Sequence, residues 1–179
     1  MNSPKTPIIK KAELTDVQEL VQFHLACWND SYKGLLESDL LKNLNKIITV
    51  DRYNSLLSKK HNIYILCLEH KIIGLISFGN VRDKLEISVK AFEIYAIYIK
   101  KSFWNMGFGQ QLLNFAEQQI TNYYKIKTII IWTLENNLRS HYFYNKNDYQ
   151  QTQCRKEFIL FEYKHPEIMF IKKMTPPKR

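Results

Sequence analysis

Phe92-Glu93-Ile94-Tyr95-Ala96-Ile97-Tyr98-Ile99, then Trp104-Asn105-Met106-Gly107-Phe108-Gly109, then Gln110-Gln111-Leu112-Leu113-Asn114-Phe115-Ala116, is an apolar run, a glycine turn and a second apolar run. The first run reads as a buried strand and the last as a helix. Glycine lets a backbone approach a ligand closely. The first N–H groups of a helix have no partner within it, and its dipole places partial positive charge there. Such a turn suits a pyrophosphate, so the stretch predicts a bound phosphorylated cofactor.

The elements around this stretch set the fold class. Residues 8–10 read as a short first strand. Thr15 with Gln18 reads as a capping box, and Val17, Leu20, Val21, His24, Leu25 and Trp28 follow at helical spacing. Gly34 breaks the pattern after Tyr32. Residues 38–44 and 50–59 read as short helices, and residues 62–68 and 71–79 as a hairpin around Glu69-His70-Lys71. A central strand is expected over residues 86–99, and the turn's helix runs to about Tyr123. Residues 128–133 form a second buried strand. Strand, helix and strand make a crossover, so those two strands run parallel. A short helix at 138–145 and terminal strands at 149–154, 158–163 and 168–172 complete an α/β chain, with a mostly antiparallel sheet around one parallel crossover.

The chain has 179 residues, 45% of them hydrophobic and 24% charged, which fits one globular domain with frayed ends at 1–6 and 174–179. No apolar run is long enough to span a bilayer and the start lacks an apolar leader core, so a cytoplasmic protein is expected. Three scattered cysteines, Cys27, Cys67 and Cys154, read as reduced thiols, and the five histidines show no metal-ligand spacing. The formal net charge of +9 suits nucleic acid, an acidic membrane surface or an anionic cofactor; the basic residues are mostly dispersed, which reads first as a solvated surface and makes nucleic acid a minority reading.

Three cofactor classes use glycine turns. A P-loop needs Gly-Lys-Ser/Thr, and Gly109 is followed by Gln110-Gln111. A dinucleotide site needs a third glycine, and Leu112 stands there. The third class is acyl-coenzyme A. The run from Glu93 to Phe115 resembles the cofactor motif of the GNAT superfamily of N-acetyltransferases, a strand followed by Gln/Arg-x-x-Gly-x-Gly/Ala and an apolar helix. Glu135-Asn136-Asn137-Leu138-Arg139-Ser140-His141-Tyr142-Phe143-Tyr144 is similar to a second family segment. Trp28 to Leu36 resembles the first-helix region of a branch acting on small amines and peptides.

The resemblance implies acetyl-CoA held by Ile97, Tyr98 and Ile99, by Trp104, Asn105, Met106, Gly107, Phe108, Gly109 and Gln110, and by Asn137 and Tyr144. It implies direct attack of a primary amine of a small molecule, polyamine or peptide through a tetrahedral intermediate. Trp104 departs from the family's Gln/Arg; an indole is not expected to hold the turn or the pyrophosphate, so weakened cofactor affinity is expected. Asp148 replaces a glycine, at a position where aspartate tolerates a left-handed turn.

An alkyl ammonium must lose a proton before it can attack, since it titrates near ~10.4. Glu93, on the central strand, is the candidate base, acting directly or through a water. Desolvation among Phe92, Ile94 and Tyr95 would make it more basic. By alternation it shares a face with Ile99. The other reading of Glu93 is an ion pair with a nearby lysine or an exposed bulge. Tyr144 is the candidate acid for the leaving thiolate, since a phenol near ~10 stays protonated beside a thiol near ~8.5. Its other reading is a core aromatic beside Phe143. The Ile99 N–H is the oxyanion donor that the resemblance implies. Asn137 either touches the pantetheine arm or caps the helix that follows. Trp28 and Tyr32 either line the acceptor side or pack the first helix. The aromatic-rich terminal strands offer a homodimer interface. Two other functions stand beside N-acetyl transfer: a non-catalytic acyl-CoA sensor, and an acetyltransferase acting on aminoacyl-tRNA.

Overall fold

The computed structural model describes residues 6–83 and 90–174. Seven strands form one mixed sheet in the order β1-β2-β3-β4-β5-β7-β6. The strands are β1 (Ile8–Lys11), β2 (Asn62–Leu68), β3 (Lys71–Asn80), β4 (Ala91–Ile99), β5 (Thr128–Leu134), β6 (Gln150–Leu160) and β7 (Tyr163–Lys173). The helices are α1 (Val17–Tyr32), α2 (Ser38–Lys42), α3 (Val50–Ser58), α4 (Phe108–Gln118) and α5 (Leu138–Lys146). The expected start of the central strand at Glu86 and most of both expected frayed ends lie outside the described residues.

Two compact units share the chain: Met1–Phe78 with Ala96–Asn114, and Gly79–Tyr95 with Phe115–Arg179. In the first unit, β1 and β2 pair antiparallel, as do β2 and β3. The helical turn before α1 is capped at Glu13, two residues earlier than the Thr15 pattern predicts. Asp16 accepts the Glu13 N–H at 2.9 Å and also holds Lys10 Nζ at 2.8 Å. A short side chain with two nearby donors wins over the Thr15–Gln18 pairing. α1 buries Val17, Leu20, Val21, Phe23 and Cys27 as one stripe, and each such large apolar side chain contributes about 1.5–3 kcal/mol. Gly74 of β3 has a packing reason to lack a side chain. A Cβ there would lie 2.8 Å from Leu112 Cδ1, 2.9 Å from Ile99 Cδ1 and 3.1 Å from Leu66 Cβ. It lets α4 approach the sheet closely.

In the second unit, β4 and β5 run parallel, with Ala91 opposite Thr128 through Ile94 opposite Ile131. All seven residues of β5 are buried, as its unbroken apolar run requires. β7 pairs antiparallel with both β5 and β6. The terminal segment forms two long strands where three were expected. Arg155-Lys156-Glu157 looks like a break in sequence, but β6 runs through it with most of its residues exposed. The reversal instead falls at Phe161, whose φ is +53°.

Candidate active site

In the first unit, β4 ends at Ile99 and a 3-10 turn, Lys101–Phe103, leads to Trp104. The Trp104 indole N–H donates to the Ile99 carbonyl at 2.7 Å. That corrects the expectation that an indole cannot hold this turn: it ties the loop back to the end of its own strand. Asn105 and Gly107 then take φ of +62° and +83°, and α4 begins at Phe108. A Cβ on Gly107 would meet nothing within 4 Å. Backbone conformation is therefore what calls for glycine there. Asn105, Met106 and Gly107 are exposed, while Phe108, Gly109 and Gln110 are half-buried. Leu112 and Leu113 anchor the helix in the core.

The same unit gathers an aromatic cluster. His24, Trp28 and Tyr32 stand four residues apart on α1, which places them on one helix face. Trp28 Nε1 donates to His24 Nε2 at 2.9 Å, and His24 Nδ1 lies 2.8 Å from the Tyr53 hydroxyl. Indole only donates, so Nε2 is the acceptor and Nδ1 carries the proton to Tyr53. Enclosure in this cluster, with Arg52 nearby, pushes the His24 pKa down to about 3. Tyr98 of β4 completes the group: its hydroxyl is 3.1 Å from that of Tyr32, and its ring centroid is 5.0 Å from that of His24. The four-residue spacing was visible in sequence, yet nothing there assigned His24 or Tyr53 to this cluster.

In the second unit, Glu93 is fully buried on β4. Arg82 holds both of its oxygens. The Arg82 backbone N–H donates to Oε2 at 3.0 Å, Nε donates to Oε1 at 3.0 Å, and Nη2 also reaches Oε1. Arg82 further lies over the Tyr95 ring, 4.5 Å from its centroid. The pairing partner is thus an arginine from the loop after β3, where the alternative reading had a lysine or an exposed bulge, and the polar loop gave no sign of it.

Within the second unit the pairing fixes which way Glu93 points. Phe92 is opposite Ile129, which is opposite Lys172, and Lys172 Nζ bonds Glu117 of α4 at 2.9 Å. Phe92 therefore faces α4 and Glu93 faces away. Within the first unit, Ile99 meets the Gly74 position together with Leu112 of α4, while Tyr98 meets α1.

Asn137 caps α5: its Oδ1 accepts the Ser140 N–H at 3.2 Å, and the residue is 4% exposed. Tyr144 is buried between Tyr149 and Phe170, with centroids at 6.0 and 5.6 Å. On the face that carries Glu93, Lys156 of β6 bonds Asp83 at 2.6 Å and lies 4.5 Å from the Trp132 centroid. Glu167 of β7 is 3.6 Å from the same ammonium. Sequence reasoning singled out neither Lys156 nor Glu167.

A family model described as the acetyltransferase (GNAT) family matches residues 18–149. The chain belongs to the GNAT family of acetyltransferases. This GNAT chain is 25% identical over 130 residues to an uncharacterised N-acetyltransferase, YuaI, of Bacillus subtilis (strain 168), covering 72% of each. It is 26% identical over 131 residues to an uncharacterised N-acetyltransferase of Lactobacillus delbrueckii subsp. lactis, covering 71% of this chain and 76% of the relative. The PaiA N-acetyltransferase of Thermoplasma acidophilum, solved in complex with coenzyme A, shares the fold with a TM-score of 0.76 at 16% identity. That match covers 94% of this chain and 99% of the other. The GNAT match takes in most of α1, the glycine turn and all of α5. It stops before β6 and β7, which carry Lys156 and Glu167.

Among the described residues no three histidine, cysteine, aspartate or glutamate side chains are grouped to hold a metal ion. No described helix is long and apolar enough to cross a membrane. Cys27 is buried, and burial pushes its thiol up to about 12, so it is a poor nucleophile.

Proposed function

We propose that this chain moves the acetyl group of acetyl-CoA to a primary amine of a small molecule, polyamine or peptide. One observation carries the reading: the left-handed Gly107 turn, tied by Trp104 to the end of β4, opens α4 with backbone N–H groups free of helical partners. Such a cradle fits a pyrophosphate. When bound, acetyl-CoA supplies a thioester carbonyl open to attack.

The residues then divide the work. Asn105 to Gln110 hold phosphate oxygens through backbone N–H groups. The backbone of Ile97 to Ile99 lies along the pantetheine arm, and the Ile99 N–H stabilises negative charge on the carbonyl oxygen. Trp104 acts on the cofactor through the turn it secures. Asn137 keeps its capping bond, and its amide N–H donors serve the cofactor arm. Tyr144 gives a proton to the departing thiolate. Trp28 and Tyr32 offer aromatic faces to an acceptor ammonium. Removing that ammonium's proton falls to the carboxylates on the Glu93 face. Glu93, clamped by Arg82, serves as the anion that charges this face and reaches a proton only through a water. The homodimer expectation attaches to the β6–β7 hairpin, where Ile159 and Phe161 are exposed.

Purified protein mixed with acetyl-CoA and a panel of alkyl, polyamine and peptide amines tests this reading. Thiol release that depends on one amine class, with an acetylated product, is expected. Coenzyme A binding without thiol release for any amine favours the sensing module instead.

A further inference from the structure

An alkyl ammonium cannot attack until a carboxylate or water takes its proton, and Glu93 is poorly placed to do so. Resting on the transfer reading above, we propose that Glu167 is the group that accepts the proton of the acceptor ammonium.

Position is the first argument. Sheets with parallel crossovers bind ligands beyond the carboxyl ends of the parallel strands. Glu167 is opposite Leu134, the last residue of β5. Glu93 is opposite Ile130, four residues back, which is about 13 Å along the strand. Both residues lie on the face of the sheet that carries Trp132. The Glu135 N–H bonds the Pro166 carbonyl at 2.8 Å, which fixes β7 at the point where the chain leaves β5 for Asn137 and α5.

Availability is the second. Glu93 is fully buried with both oxygens held by Arg82. The Glu167 side chain is 15% exposed, and its ion-pair partner Lys156 stands 3.6 Å away. That exceeds the ~2.7–2.9 Å of a tight charge-assisted bond. Lys156 is meanwhile committed to Asp83 at 2.6 Å and to the Trp132 ring. Glu167 thus keeps lone pairs that Glu93 has lost.

The surroundings then tune it. Burial raises the Glu167 pKa above the ordinary glutamate value, and the Glu93 charge raises it further. Lys156 on β6 and Arg82 on the loop after β3 lower it. Asp83 faces the cluster from that loop, and His165 lies two residues along β7. The net effect is a stronger base than a solvated carboxylate. In the step, an N–H bond of the ammonium breaks and its proton bonds to a Glu167 oxygen. The freed nitrogen pair forms the N–C bond to the acetyl carbon while the carbonyl pair moves to oxygen; as the carbonyl re-forms, the C–S bond breaks with its pair on sulfur, and the nitrogen's second proton passes to that thiolate, leaving a neutral amide and a free thiol.

The test compares Glu167→Gln, Glu167→Asp and Glu93→Gln with the wild type on two acceptors. One is the alkyl amine of the panel that the wild type turns over fastest. The other is aniline, which is already neutral at pH 7. Glu167→Gln is expected to lower kcat about 100-fold with the alkyl amine, to remove the acidic limb of its pH profile, and to leave the aniline rate within about threefold; Glu167→Asp restores part of the loss. Without acetyl-CoA, carboxyl-carbon NMR should show Glu167 titrating above the ordinary value, higher still in Lys156→Met and lower in Glu93→Gln. Alkyl-amine transfer that survives Glu167→Gln, or equal losses with both amines, overturns this inference alone. A wild type that binds coenzyme A yet acetylates no amine overturns the transfer reading on which it rests.

Discussion

At the residue scale, the site depends on side chains whose partners lie far off in sequence. His24 is half-buried with both ring nitrogens used, accepting from Trp28 and donating to Tyr53. Protonating it requires breaking the Trp28 bond, in keeping with a pKa near 3 against an unfolded value of 6.5. Between those values the unfolded chain binds more protons, so this residue's stability is full above pH 6.5 and lost as pH falls toward 3. Discounted for partial exposure, the loss is on the order of 3 kcal/mol. Urea midpoints at pH 7 and pH 4 should diverge less in His24→Gln than in the wild type. Gly107 gives a second prediction. Its φ of +83° costs an L-residue about 1–2 kcal/mol, although a Cβ there meets nothing. Gly107→Ala should weaken coenzyme A binding about tenfold by calorimetry and lower the thermal midpoint by about 2–8 °C. The glycines could be read from sequence because their conformational need is local. The Arg82–Glu93 pair could not, because it joins a loop to a strand across eleven residues with no periodic signal.

At the scale of elements, periodicity carried most of the reading. α1, α3, α4, α5 and the β2–β3 hairpin fall close to where their apolar spacing puts them, and the unbroken apolar run of β5 marked it as buried, whereas β4 is buried at Phe92, Glu93 and Ile94 and half-buried elsewhere. The failures share a cause: local patterns say little where tertiary contacts decide. Charged residues in β6 looked like a break because an edge strand exposes its side chains whatever their chemistry. The close seating of α4 is a tertiary property of the same kind. Gly74→Ala would set a methyl group against Leu112, Ile99 and Leu66. Overpacking of that sort costs about 1–3 kcal/mol, to be read as a lower urea midpoint, and should weaken coenzyme A binding by moving the start of α4.

At the scale of the whole molecule, the chain is a GNAT acetyltransferase by the family match over residues 18–149. Tyr144→Phe removes one hydroxyl from a buried ring and should lower kcat about 10–100-fold while leaving coenzyme A affinity within about twofold. An equal loss of affinity would assign Tyr144 to packing. The most direct test of the central claim is thiol release by the purified chain from acetyl-CoA across a panel of primary amines, with product mass determined. The account predicts amine-dependent thiol release and a product heavier by one acetyl group. Tight coenzyme A binding with no thiol release for any amine would contradict it.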